Sequence, residues 1–309
     1  MKALREERLF EPFIDPTDGV LCLPAASSAA EINILTSPHG LRFPLVLDES
    51  DALCDQVAAS PFAPASSRFG PYCDNITGLN WELPDGRRVR VGERVVKSTT
   101  GYDLLRFLLG TNGRYGRPVD YVLRLRPECD VARSLSLRGD LVSIRQMVTE
   151  ILKSSWIHWI DSLDFISDNG QFRLLRIAVN CPTAEWDIYM DFLSKMAERN
   201  GLLLDESPGL PFDGRPDFVI KTSPEFVIES ALRLSGHSGA KCVALCYCGV
   251  VHVFLEDSSP EAILAITRPL EKELHAIGGD WSSRHVRESL PVAPEADWIS
   301  TLRKEWGLP

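Results

Sequence analysis

Apolar positions along this chain switch between a period near two and a period near 3.6, and each switch marks an element. Residues 19–25, GVLCLPA, form a short apolar run that predicts a strand. SSAAEINILTSPHG (27–40) predicts a short helix: Ser27 or Ser28 can cap it, Glu31 follows at capping-box distance, and Pro38 to Gly40 stop it. LRFPLVLD then reads as a short extended run and ESDALCDQVAAS as one or two helical turns. AASPFAPASSRFGP (58–71) reads as an ordered or semi-ordered loop. NITGLNWELPDGRRVRVGE predicts a hairpin that turns at Pro84-Asp85-Gly86. Tyr102 to Leu109 predict a helix with Asp103 in its first turn and Gly110 at its end. Tyr121 to Arg126 alternate as a closing strand before Pro127.

Beyond Pro127 the elements lengthen. LVSIRQMVTEILKS (141–154) and AEWDIYMDFLSKMAERNG (184–201) predict amphipathic helices, and SLDFISDNGQFRLLRIAVN (162–180) a hairpin around Asp168 to Gly170. CVALCYCGVVHVFLE (242–256) predicts one or two strands, and SPEAILAITRPLEKELHAIGG (259–279) a long helix capped by Ser259 and closed by Gly278. This order predicts an α+β layer, a sheet with helices on one side. Cys242, Cys246 and Cys248 have even spacing, so they are expected on one strand face as core thiols; Cys-x3-Cys-x-Cys is not a zinc or cluster spacing.

Composition narrows the function classes. With 309 residues, 44% of them hydrophobic, one large or two ordinary domains can bury a core. A net charge of −10 argues against a general nucleic-acid binder, which needs a basic surface, but leaves room for a local basic pocket. No run approaches the roughly 20 apolar residues of a membrane span. MKALREERLFEPF does not read as a signal peptide, so the eight scattered cysteines are expected to be reduced thiols of a cytoplasmic protein.

The stretch from Gly92 to Pro127 combines a basic entry with Lys97, a Gly101-Tyr102-Asp103-Leu104 helix start, a loop with Gly110, Gly113 and Gly116, and the strand YVLRLR. In that combination it resembles the second half of the flavin-binding domain of FAD-linked oxidases of the vanillyl-alcohol oxidase/p-cresol methylhydroxylase (PCMH) type. Among these it is most similar to the FAD-binding subunit of bacterial glycolate oxidase. The resemblance starts near Asp15 and implies a partial FAD-binding domain over residues 1–130 and an α+β substrate or cap domain over 131–309. It implies FAD contacts from Lys97, Gly101, Tyr102, Asp103, Gly110, Asn112, Gly113 and Gly116. Past residue 130 it rests on element order. There Gly249-Val250-Val251-His252, and Gly278-Gly279 followed by His285, have the spacing of the family's flavin-face histidines. Oxidation of a 2-hydroxy acid needs a base, a hydride acceptor and a cation for the carboxylate, so His252, His285 and Arg284 are the implied catalytic set, with no metal.

Four departures accompany the resemblance. The family's Gly-Gly loop beside the flavin diphosphate reads Cys54-Asp55 here, and an aspartate beside a diphosphate costs on the order of 1 kcal/mol. Pro118 has no N–H to offer a ligand. The family's C-terminal Asp-Pro-x-Gly and Asn-Pro-Gly tail has no match in WISTLRKEWGLP. About fourteen residues precede Asp15, too few for the family's first, Gly-rich subdomain. The expectation is therefore half a flavin domain plus a substrate domain: FAD abandoned, FAD shared with a partner chain that supplies the other half, or a displaced start codon. Two functions follow: an FAD-dependent oxidoreductase subunit acting on a 2-hydroxy acid such as glycolate, or a flavin-free scaffold or regulatory subunit of such a complex. A small-molecule binder using the emptied cleft is a third.

Overall fold

The structure is a computed structural model that describes residues 9–93, 103–111, 113–168, 172–207, 214–237, 239–276 and 279–283. Lys97, Gly101, Tyr102, Asn112, Gly278, Arg284, His285 and the C-terminal WISTLRKEWGLP lie outside these residues.

The first half runs β1 (Phe13–Asp15), β2 (Val20–Pro24), α1 (Ala29–Thr36), β3 (Leu41–Arg42), α2 (Leu53–Ala59), α3 (Ser66–Phe69), α4 (Tyr72–Asn75), β4 (Ile76–Glu82), β5 (Arg88–Gly92), α5 (Leu104–Leu109), β6 (Arg117–Arg124) and β7 (Arg126–Pro127). Five strands form an antiparallel sheet in the order β1-β2-β6-β4-β5, while β3 and β7 make a separate two-stranded ribbon. One face of the sheet packs Leu21, Leu23, Leu79, Trp81, Tyr121 and Leu123 against Ile32, Leu53 and Leu108 of the helices. Each such side chain contributes about 1.5–3 kcal/mol on burial. The sequence expects one strand over Tyr121–Arg126. Instead β6 starts at Arg117, and the chain breaks at Leu125, which is buried in the core, before pairing again as β7.

The second half runs β8 (Val131–Arg138), α6 (Leu141–Lys153), β9 (Ile160–Asp168), β10 (Phe172–Cys181), α7 (Thr183–Arg199), β11 (Leu203–Glu206), β12 (Phe218–Lys221), α8 (Val227–Ser235), β13 (Ala240–Leu245), β14 (Val250–Leu255), α9 (Pro260–Ala276) and β15 (Asp280–Ser283). All eight strands join one antiparallel sheet, β11-β8-β10-β9-β13-β14-β12-β15. The architecture is α+β. Alternation along each strand gives the sheet two faces. One carries Leu163, Phe165, Leu175, Ile177, Val251 and Val253 and is covered by the helices; Ile144, Met147, Val148 and Ile151 of α6 supply the i, i+3, i+4, i+7 stripe that does so. The opposite face carries Ser162, Asp164, Ile166, Arg176, Val243 and His252 and turns toward the first half. Among the described residues no helix is long and apolar enough to cross a membrane.

The three cysteines do not share a face. Cys242 and Cys246 are buried in the helix-side core, but the chain turns between β13 and β14, and Cys248 packs against Ile166, Val219 and Val243 on the other side. The even spacing fails because the strand ends at Leu245, before the last two cysteines.

Candidate functional site

The site implied by the sequence lies where the first half meets the open face of the second sheet. Its diphosphate side would be the start of α2, at Cys54 and Asp55. A helix start binds an anion through amides that lack a partner. Here the leading amides are taken: Leu53 donates to the Ser27 carbonyl at 2.9 Å, Cys54 to Ala25 at 2.8 Å, and Asp55 and Gln56 to Ala52 at 3.0 and 3.1 Å. The buried Gln56 side chain locks the approach: its oxygen accepts from Leu47 and Asp48, and its nitrogen donates to the Asp48 and Asp51 carbonyls. The Asp55 carboxylate meets Arg215 of the second half at 3.2 Å, and Asp51 meets the same guanidinium at 2.8 Å. An ion pair therefore stands where the sequence resemblance expects bare glycine backbone. Burial and the Asp55 charge push the Cys54 thiol up, away from nucleophilic use.

The glycine loop is accounted for by protein contacts. Asp103 is the cap of α5 rather than part of its first turn: its carboxylate accepts from the Arg106 amide at 3.0 Å. Arg106 in turn pairs with Asp103 and Asp74. Gly110 closes α5 by donating to the Arg106 carbonyl at 3.1 Å. Gly116 has φ +122°, and a Cβ there would collide with the Glu82 carbonyl oxygen and the Trp81 indole nitrogen. That indole donates to the Tyr115 carbonyl at 2.9 Å, so Gly116 lets the loop lie flat on β4. Gly113 takes φ +82° in the preceding turn.

On the open sheet face His252 is 2% exposed, and burial holds its imidazole down to about 4. Its Nε2 lies 3.0 Å from Ser60 Oγ. The Ser60 hydroxyl donates to the Phe62 carbonyl at 2.8 Å and accepts from the Phe62 amide at 3.1 Å, which leaves one lone pair to accept from His252 Nε2. Phe62 packs on Ile166, Leu174, Val219, Val243, Leu245 and Val250, so the segment after α2 covers the strip of sheet beside His252. Thus the structure brings His252 to the seam between the halves, while Asp103, Gly110, Gly113 and Gly116 lie around α5 and β4 and are engaged by contacts within the first half. Among the described residues the start of α2 does not fit a flavin diphosphate: its leading amides are bonded, the Asp55 carboxylate stands beside them, and the Ser60–Phe62 segment lies on the sheet face.

Sequence reasoning missed the polar groups that fasten the seam. Asp161, at the start of β9, takes Arg42 at 2.6 Å and Arg68 at 2.8 Å, both from the first half. Deeper in the sheet Asp164 pairs with Arg176 at 2.5 Å, and Arg176 also donates to Ser162 at 2.8 Å. Burial still pushes the Asp164 carboxyl up against the lowering pull of Arg176. Arg68 falls in the 58–71 stretch that the sequence reads only as a loop, and Asp161 carries no local signal, because its partners come from about a hundred residues away.

No family model matches the chain. An uncharacterised FAD-linked oxidoreductase of Mycobacterium tuberculosis is 25% identical over 164 residues, which cover 52% of this chain and 35% of that protein. A mitochondrial cytochrome-type D-lactate dehydrogenase of Arabidopsis thaliana is 32% identical over 96 residues, 31% of this chain and 17% of the relative. Glycolate oxidase subunit GlcD of Bacillus subtilis is 28% identical over 91 residues, 29% of this chain and 19% of the relative. The matched segments thus span about a third or less of these relatives. Among solved structures, alkyldihydroxyacetonephosphate synthase superposes with a TM-score of 0.63 at 12% identity, over 97% of this chain and 64% of that one. At that identity the likeness is one of fold.

Proposed function

For a chain whose homologues are FAD-linked oxidoreductases, D-lactate dehydrogenases and a glycolate oxidase subunit, we propose the role of a flavin-free subunit in an assembly that oxidises a small 2-hydroxy acid. The observation that carries this reading is the closed diphosphate position: the first amides of α2 bonded to Ser27, Ala25 and Ala52, with Asp55 beside them paired to Arg215. In this reading residues 1–130 form a flavin-domain remnant, 131–309 a cap-like domain, and a partner subunit holds the FAD. A cytoplasmic compartment suits the eight free thiols.

A second reading keeps catalysis in this chain, with FAD held by Lys97, Gly101, Tyr102, Asp103, Gly110, Asn112, Gly113 and Gly116, and substrate met by His252, His285 and Arg284. One observation favours it: His252 lies on the sheet face that turns toward the first half. The two part in one experiment. The full chain is purified, incubated with excess FAD and passed through gel filtration. The flavin-free reading expects the visible flavin absorbance to leave the protein. Flavin co-eluting at about one per chain would overturn it.

A further inference from the structure

We propose that the seam between the two halves binds a compact oxyanion, a phosphate or a small carboxylate, held by Arg42, Arg68 and Arg126 around Phe69. Three guanidinium groups stand about one phenyl ring, with Cζ 4.9 Å (Arg68), 5.3 Å (Arg126) and 5.7 Å (Arg42) from its centroid. Arg42 and Arg126 are direct register partners in the β3–β7 ribbon. Like charges placed opposite each other destabilise such a pair unless an anion lies between them. Among the described residues the carboxylate bonded to this cluster is Asp161, and it is spent on Arg42 and Arg68. Arg126 receives a neutral partner, the Asn75 side-chain oxygen at 2.9 Å. The orientation of that amide is fixed, since its nitrogen donates to the Phe69 and Pro71 carbonyls.

Two further facts mark the cluster as short of negative charge. The Nε atoms of Arg42 and Arg126 are both buried without an acceptor, whereas buried donors are ordinarily satisfied. Burial, together with the charges of Arg124 and Arg68, holds the Arg126 guanidinium down to about 10. In a chain of net charge −10 this local surplus of cations stands out. The planar fork of a guanidinium matches the oxygens of phosphate and carboxylate, so an oxyanion is the ligand class that relieves the cluster. The inference is independent of whether the chain carries flavin.

The test is thermal unfolding of the full chain in a buffer free of multivalent anions, titrated with inorganic phosphate or with glycolate, each against sodium chloride at equal ionic strength. A saturable rise in Tm is expected, on the order of 5 °C at a hundredfold excess over half-saturation. The anion that saturates at lower concentration identifies the source. Arg126→Gln is expected to abolish the rise, and in the anion-free buffer to leave Tm unchanged or higher because it removes the like-charge pair. Asp161→Asn, which deletes the competing carboxylate, is expected to lower the half-saturating concentration several-fold. The proposal is overturned if neither anion exceeds the chloride control, if Arg126→Gln keeps the full response, or if that variant lowers Tm equally with and without anion. Should Arg126→Gln not fold, Asp161→Asn decides: unchanged or weaker anion response overturns the proposal.

Discussion

His252 condenses the residue-scale lesson. A neutral imidazole sealed between Ser60 and the sheet cannot take up a proton until about pH 4, whereas in the unfolded chain it does so near the ordinary 6.5. Between those values the unfolded state binds more protons, so stability falls as pH drops from above 6.5 toward 4. The expected contribution is a loss of about 2 kcal/mol between pH 7.5 and pH 5. Urea unfolding at the two pH values, for the parent and for His252→Gln, measures it; an identical pH dependence in both proteins defeats the assignment. Gly-x-x-His placed this histidine on a strand correctly. It was silent on burial, because the covering residues Ser60 and Phe62 belong to a loop with no periodic pattern. Cys248 and Asp103 were misplaced for a local reason: one lies past a strand end, where a face assignment no longer applies, and the other is the cap just before a helix start.

At the scale of elements, the helices with chemical punctuation were legible. Ser28 accepts from the Glu31 amide while the Glu31 carboxylate accepts from the Ser28 amide at 2.8 Å, the reciprocal box that the spacing predicts. Ser28→Ala is expected to lose about 1 kcal/mol in chemical denaturation, and Ser27→Ala a few tenths at most. Equal losses at both positions count against the cap. The α6 stripe and the β4–β5 and β9–β10 hairpins were legible for the same reason, a clear period bounded by turn residues. α8 was not, because it starts from the turn Pro224–Phe226 with no side-chain cap. β12 is four residues long with Phe218, Val219 and Ile220 all buried, a run too short for any period to appear. β8 shows only Leu135 and Leu137 in alternation.

For the whole molecule, Asp161 carries two of the polar contacts that couple the halves among the described residues. Asp161→Asn leaves Arg42 and Arg68 half-buried without a counter-charge, at an expected cost of about 2 kcal/mol in low salt. Hydrogen exchange should quicken at β3 and α3 and stay unchanged in α7, which touches neither partner. Uniform quickening would mean that the seam is not a separate cooperative boundary. The fold class and the likeness to FAD-linked oxidoreductases were readable because helix starts, glycine turns and hairpins are local. The aspartate at the diphosphate position was readable from Cys54-Asp55; its ion pair was not, because Arg215 reaches back from the second half to Asp51 and Asp55. The register of the first sheet has a consequence for biosynthesis. β2 pairs with β6 from Val20↔Arg124 to Pro24↔Asp120, so its inner edge has no native partner until the ribosome has delivered residue 124. The hairpin of β9 and β10, by contrast, closes on itself as soon as it emerges. Closing the larger loop costs more chain entropy and delays native pairing. The apolar VLCL segment therefore waits about a hundred residues for the partner that shelters it, and we expect a chaperone to engage this nascent chain there.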